Sequence, residues 1–167
     1  VCLPGELPGG SIAKLAASTR ADIEIQVFGR LPLAISARCY HARSRGLAKD
    51  NCQYACGDDL DGMELDTLAG DAFLAVNGTQ TLSFSCCNLS AEVEEMKGMG
   101  VTHFRRSPHD LDMVKVAGLY RDLLDGVTEA DAVDGALAGL VPGMPFSNGF
   151  YHGVEGSAFT AEDHEAE

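Results

Sequence analysis

No run of apolar residues in the 167-residue chain approaches the roughly 20 needed to cross a bilayer as a helix. The opening stretch, Val1 to Ser18, lacks the basic segment and apolar core of a secretory signal. These two absences set the cytoplasm as the expected compartment, where thiols stay reduced. Basic residues are also scarce: 12 Lys and Arg stand against 25 Asp and Glu, for a formal net charge of −13. A surface that acidic repels phosphate backbones, so nucleic acid is excluded as a partner unless a local basic stripe overrides the average. The nearest such stripe is Arg38, Arg43, Arg45 and Lys49. Paired C-x-x-C knuckles, internal repeats and low-complexity segments are missing as well. There is no initiator Met, and the chain opens on Val1-Cys2-Leu3-Pro4. The expectation is the C-terminal part of a longer protein.

What is present is 46% hydrophobic content, enough for one domain with a sizeable core. Gly9-Gly10-Ser11 starts a helix with Ser11 as N-cap. Ile23 to Phe28 alternates apolar and polar side chains, which predicts a half-buried strand with Ile23, Ile25 and Val27 facing in. Asn77-Gly78 between two apolar runs predicts a hairpin over 72–84, with both turn residues at positive φ. A short helix over Asn88 to Met99 should stop at Gly100, and Val101 to Arg105 reads as a strand. Ser107-Pro108 has the form of an N-cap and first helical residue. A second helix follows over Glu129 to Leu140, then a Pro/Gly-rich segment. Strands alternating with helices are the grammar of a parallel α/β sheet. A full (β/α) barrel takes about 250 residues, so the expected fold is a partial TIM-like barrel over 1–156. It carries a cysteine-bearing loop (29–62), an inserted hairpin and an acidic, disordered tail over 157–167.

The cysteines supply the sharpest chemical signal. Cys39, Cys52 and Cys56 are separated by twelve and three residues, on a stretch without clean periodicity. Soft thiolates on an otherwise unstructured loop suit iron–sulfur or zinc, and a bound metal would order such a stretch. Basic neighbours Arg38, Arg43 and Lys49 would favour the thiolates. The competing reading is three unrelated buried cysteines. Within the chain, Cys2, Cys86, Cys87 and His41 are candidates for a fourth ligand; a core position suits Cys86-Cys87 better, and an exposed loop suits His41. Glu24, Gln26, Arg30, Arg105 and Arg106 lie at or near strand ends, where barrel active sites form. Arg30 could grip a carboxylate with its planar fork. Tyr151 and His152 read as part of a packed terminal segment. No Ser/His/Asp set, H-E-x-x-H helix or activated Cys–His pair is present, so no residue is assigned as catalytic.

Glu24-Ile25-Gln26-Val27-Phe28-Gly29-Arg30-Leu31-Pro32-Leu33-Ala34, followed by Ser36-Ala37-Arg38-Cys39, resembles the signature region of the U32 peptidase-like family. Asn77-Gly78-Thr79-Gln80-Thr81-Leu82-Ser83, Arg106-Ser107-Pro108 and Pro145-Phe146-Ser147-Asn148-Gly149-Phe150 add to the match. Within the family the cysteine spacing is most similar to the UbiV-like ubiquinone-biosynthesis branch. That resemblance implies a 4Fe-4S cluster on Cys39, Cys52 and Cys56, completed by a cysteine in a missing N-terminal half. It implies a heterodimer with a UbiU-like subunit, acting with the lipid-binding protein UbiT in oxygen-independent hydroxylation of a ubiquinone precursor. Relatives that hydroxylate RNA take the oxygen atom from prephenate, which makes the same donor an expectation here. The alternatives are a U32-type RNA-hydroxylation enzyme and a zinc-stabilised partner-binding module.

Overall fold

A computed structural model describes residues 1–161. Six strands form one open sheet in the order β2-β3-β4-β1-β5, with β6 also paired to β4. They are β1 (Glu24–Ile35), β2 (Met63–Asp66), β3 (Ala72–Asn77), β4 (Gln80–Asn88), β5 (His103–Arg106) and β6 (Phe146–Ser147). The helices are α1 (Gly9–Ser18), α2 (Tyr40–Ser44), α3 (Val93–Met99), α4 (Met113–Leu124) and α5 (Ala130–Leu140). The expectation of an α/β protein holds; the expected partial TIM-like barrel is not shown, because the sheet is mixed and not closed. β1 runs parallel to β5 but antiparallel to β4, and β6 runs parallel to β4. The cause is the hairpin. Its second strand continues past Phe84 through Cys86 and Cys87 to Asn88, so β4 becomes a full neighbour of β1 rather than an insert.

Several local expectations shift for identifiable reasons. β1 does not stop at Phe28: it continues to Ile35 across Pro32, where register breaks on both sides absorb the missing N–H. It is also not half-buried, since Ile25 to Leu31 is buried on both faces, Gln26 and Phe28 included. The hairpin loop is Gly78-Thr79 rather than Asn77-Gly78. Asn77 pairs with Gln80, and Gly78 at φ +63 takes the first loop position, where a two-residue turn needs positive φ. α1 starts two residues before Ser11, with Pro8 in the capping position. Ser107 does not cap a helix: its N–H donates to Phe28 O, prolonging the β1–β5 pairing, and α4 begins only at Met113. The cap of α4 is Asp112, whose carboxylate accepts from Lys115 N at 2.9 Å.

Helix α1 packs on α3, α3 on α4, and α4 on α5. Their inward side chains, Ile12, Val93, Met96, Val116, Tyr120, Val133 and Leu137, close over Val27 and Phe28 of β1. Each such aliphatic or aromatic side chain contributes about 1.5–3 kcal/mol through burial. The Tyr120 hydroxyl reaches across this core to Val27 O (2.9 Å) and Asn88 Oδ1 (3.0 Å), tying α4 to β1 and β4. Of the expected acidic tail, residues 162–167 lie outside the described residues. Thr160 and Ala158 are bonded to Asn148 through both backbone and side chain. No helix among the described residues is long and apolar enough to cross a membrane.

Candidate functional site

The exposed end of β1 delivers the chain to the cysteine segment, and the hairpin loop anchors it there. Ser36 N donates to Thr79 O at 2.8 Å and Tyr40 N to Gly78 O at 3.0 Å. Gly78 N donates to His41 Nδ1 at 3.0 Å. The expected exposed loop histidine is therefore buried, at 1% exposure. With Nδ1 accepting, the ring hydrogen sits on Nε2, buried 3.2 Å from Asp59 Oδ2 but not aligned as a hydrogen bond. Asp59 also pairs with Arg45 at 3.4 Å, and Arg45 reaches Asp58 at 3.3 Å. His41 thus fixes the start of the segment to the hairpin loop, and Arg45 ties that start to the far end.

Between those clamps the chain is a series of short turns. Cys39 caps α2, its Sγ accepting from Ala42 N at 3.5 Å. Lys49–Asn51 and Ala55–Asp58 are single 3-10 turns. Cys52 Sγ accepts from Tyr54 N at 3.4 Å. Gln53 and Tyr54 both adopt left-handed backbone, at φ +51 and +54, and Tyr54 is 84% exposed. Two successive non-glycine residues there store strain of about 1–3 kcal/mol each, which surrounding structure normally has to enforce.

Cys39, Cys52 and Cys56 are all half-exposed free thiols on this one segment. Among the described residues no group of three or more His, Cys, Asp or Glu side chains is drawn together at metal-holding distance. The donor chemistry suits an iron–sulfur cluster: soft ligands, partly exposed, two already receiving backbone N–H bonds of the kind that stabilise thiolate sulfur. The other candidates for a fourth ligand are placed differently. Cys86 and Cys87 are core residues, and burial pushes the Cys86 thiol up to about 12 and Cys87 higher still. Cys2 is exposed beside Glu24, and the partial desolvation of its sulfur together with a bond to Glu24 raises its pKa.

A second feature adjoins this segment. A cavity of about 280 Å³ opens beside β1 and β5, lined by Gln26, Arg30, Asp61, Arg105 and His109. It brings together three of the polar strand residues singled out in the sequence. Arg30 is 5% exposed. Its Nη1 donates to Ser83 O and Phe84 O, its Nη2 to Glu64 at 3.2 Å, and its Nε, also buried, has no hydrogen-bond partner. Gln26 Nε2 donates to Arg30 O (3.0 Å) while its Oε1 accepts from Arg105 (3.2 Å). Asp61 and His109, which sequence reasoning passed over, also line it. Gly29 allows the strand to approach closely here: at φ +102, a Cβ would lie 2.7 Å from Ser107 O.

This arrangement accounts physically for the densest stretch of the signature, Gln26 through Arg30. The model of peptidase family U32 matches residues 1–159. The chain belongs to peptidase family U32. No solved structure matches this U32 chain. Among its described residues no hydrogen bond joins a serine hydroxyl or a cysteine thiol to a histidine ring, while the Thr102 hydroxyl lies 2.8 Å from His103 Nδ1 at the exposed start of β5.

Proposed function

We propose that this U32 chain is an iron–sulfur protein of the UbiV-like kind. Cys39, Cys52 and Cys56 hold a 4Fe-4S cluster, and the fourth ligand comes from a cysteine in an N-terminal half of the protein. The observation that carries the reading is the placement of three free, half-exposed thiols on one segment of short turns, held to the hairpin loop by His41 and closed at its far end by Arg45. Gathering the sulfurs is then work done by the metal itself, as in other sites that form only on binding. When bound, the cluster supplies one-electron redox chemistry. The residues of the adjoining cavity bind and orient a small carboxylate such as prephenate. The Arg30 Nε–H and the Arg105 guanidinium donate to it, and Gln26 fixes Arg105.

By this reading the chain is the C-terminal part of a barrel-like protein. It works in the cytoplasm in a heterodimer with a UbiU-like subunit, alongside UbiT, in oxygen-independent hydroxylation of a ubiquinone precursor. RNA as substrate is disfavoured by the net charge of −13. Anaerobic reconstitution with ferrous iron and sulfide tests the proposal. A brown protein that bleaches on reduction, and a Cys52→Ala variant of the full-length protein that stays colourless, are expected. A colourless protein carrying stoichiometric zinc would contradict the reading, as would full iron content in Cys52→Ala.

A further inference from the structure

The alternation of β2 sorts its side chains between two faces. Glu64 turns to Arg30, whereas Met63 and Leu65 lie opposite Val76 and Leu74 of β3. Four apolar side chains in two cross-strand pairs thus share one face of the hairpin sheet. Helix α2 packs on β3 but has only five residues, and part of that face stays open. The result is a groove of about 540 Å³, lined by Met63, Leu65, Leu74 and Val76 of the sheet and by Tyr40 and Arg43 of α2. Leu65 is 38% exposed and Tyr40 41%.

Arg43 is the only charged residue that lines this groove. It is exposed and forms no ion pair among the described residues, whereas Arg45 is shared by Asp58 and Asp59. An apolar surface with one free cation and no carboxylate, in a chain of 25 acidic against 12 basic side chains, suits an apolar body bearing negative charge. The volume and the mostly apolar lining with few polar groups are those of a small-molecule site. Residues 162–167 lack the chemistry to fill it: they offer four carboxylates and His164, but no apolar side chain larger than alanine. A second copy is opposed by its own charge of −13 and by Glu64 and Asp66 on the edge strand. An apolar cavity of about 150 Å³ admits benzene, so this groove takes a body of about ten carbons. A lone arginine balances one negative charge, which favours a carboxylate over a doubly charged phosphate.

We infer that the groove binds a single-chain carboxylate from solution, its apolar body on Met63, Leu65 and Leu74 and its charge at Arg43. Arg43 follows Cys39, the cap of α2, by about one helical turn, so the occupant adjoins the cysteine segment. The inference goes beyond the proposed function and needs no cluster.

Titration of the full-length protein with decanoate, followed by side-chain methyl NMR with decanol as the neutral control, tests this. Saturable shifts are expected at the methyls of Met63, Leu65, Leu74 and Val76 with both molecules. Arg43→Gln, at an exposed position, should weaken decanoate about threefold, as befits a solvent-screened pair, and leave decanol unchanged. Leu65→Thr, which keeps a strand-forming residue on the edge, should weaken both by about tenfold. The inference is overturned by an absence of saturable binding, or by shifts centred instead on Leu31 and Leu33 in the separate apolar groove beside Phe84 and Phe150. It is overturned equally by Arg43→Gln acting on both molecules or on neither, by full affinity in Leu65→Thr, or by binding to phosphatidylglycerol vesicles alone. None of these readouts depends on iron, so the cluster and the groove stand or fall separately.

Discussion

The backbone N–H of Arg30 donates to Nε2 of His109 across 3.1 Å, joining the buried half of β1 to the loop that follows β5. Because Nε2 accepts, the ring hydrogen sits on Nδ1. That atom is buried 3.4 Å from Asp61 Oδ1, close enough to feel its charge but not aligned as a hydrogen bond. Phe28 packs edge-on against the same ring at 5.9 Å. One imidazole therefore holds the wall of the polar cavity in place, and it can do so only while neutral.

The first prediction concerns pH. Burial lowers the His109 pKa, outweighing the raising effect of Asp61. The unfolded chain therefore takes the proton more readily than the folded one, and stability falls as pH drops below about 6.5, the ordinary histidine value. Glu92 acts in the opposite sense, because burial raises its pKa despite the bonds from His152 and Asn148. Its contribution is full below its unfolded value and fades as pH rises through the folded one. Urea midpoints at about pH 5.5 and about pH 7.5 should show His109→Gln removing part of the loss on acidification. Glu92→Gln should remove part of the loss on the alkaline side of its own transition. A His109→Gln variant with the unaltered pH dependence would contradict the tautomer assignment.

A second prediction follows from the approach of β1 to Ser107. In Gly29→Ala the new methyl would meet Ser107 O and Cβ, both at 2.7 Å, on a backbone at φ +102. Conformational strain alone costs about 1–3 kcal/mol, and the overlap adds to it. The urea midpoint should fall markedly with little change in slope. A midpoint equal to wild type would mean that the strand and the Ser107 loop are not in contact.

The third separates the two candidate caps of α4. Asp112→Ala removes the acceptor for Lys115 N and should cost about 1 kcal/mol. Ser107→Ala leaves the bond from its backbone N–H to Phe28 O intact, so its effect should stay within about 0.5 kcal/mol. Denaturant titration of both variants decides the matter, and the reverse ranking would restore Ser107 as the helix start.

Much of this was legible before the fold was known, wherever a local rule met no competitor. Gly100 ends α3 in left-handed backbone, α5 lies within one residue of expectation, and Cys86 and Cys87 are core. The misreadings share one cause, tertiary pairing that overrides a local signal. Ser107-Pro108 has the chemistry of a helix start, but the bond from Ser107 N–H to Phe28 O keeps this stretch extended beside β1. Pro32 argues against a strand, yet the bulged register around it lets β1 run on. Of the polar cavity, Gln26, Arg30 and Arg105 could be singled out by their position near strand ends. Asp61 and His109 come from loops whose partners are 49 and 79 residues away, respectively, and no spacing records that. Glu92 is buried although it adjoins Glu94 and Glu95 at the exposed start of α3, and no local pattern in the sequence separates the three.

The central claim is that three particular sulfurs, and not the others, bind iron. Iron and acid-labile sulfide should be counted per chain after anaerobic reconstitution of full-length Cys39→Ser, Cys52→Ser, Cys56→Ser and Cys86→Ala variants. The account predicts loss of cluster in the first three and full loading in Cys86→Ala, whose thiol is buried and protonated. Loading that survives in the first three, or that is lost only in Cys86→Ala, would contradict it.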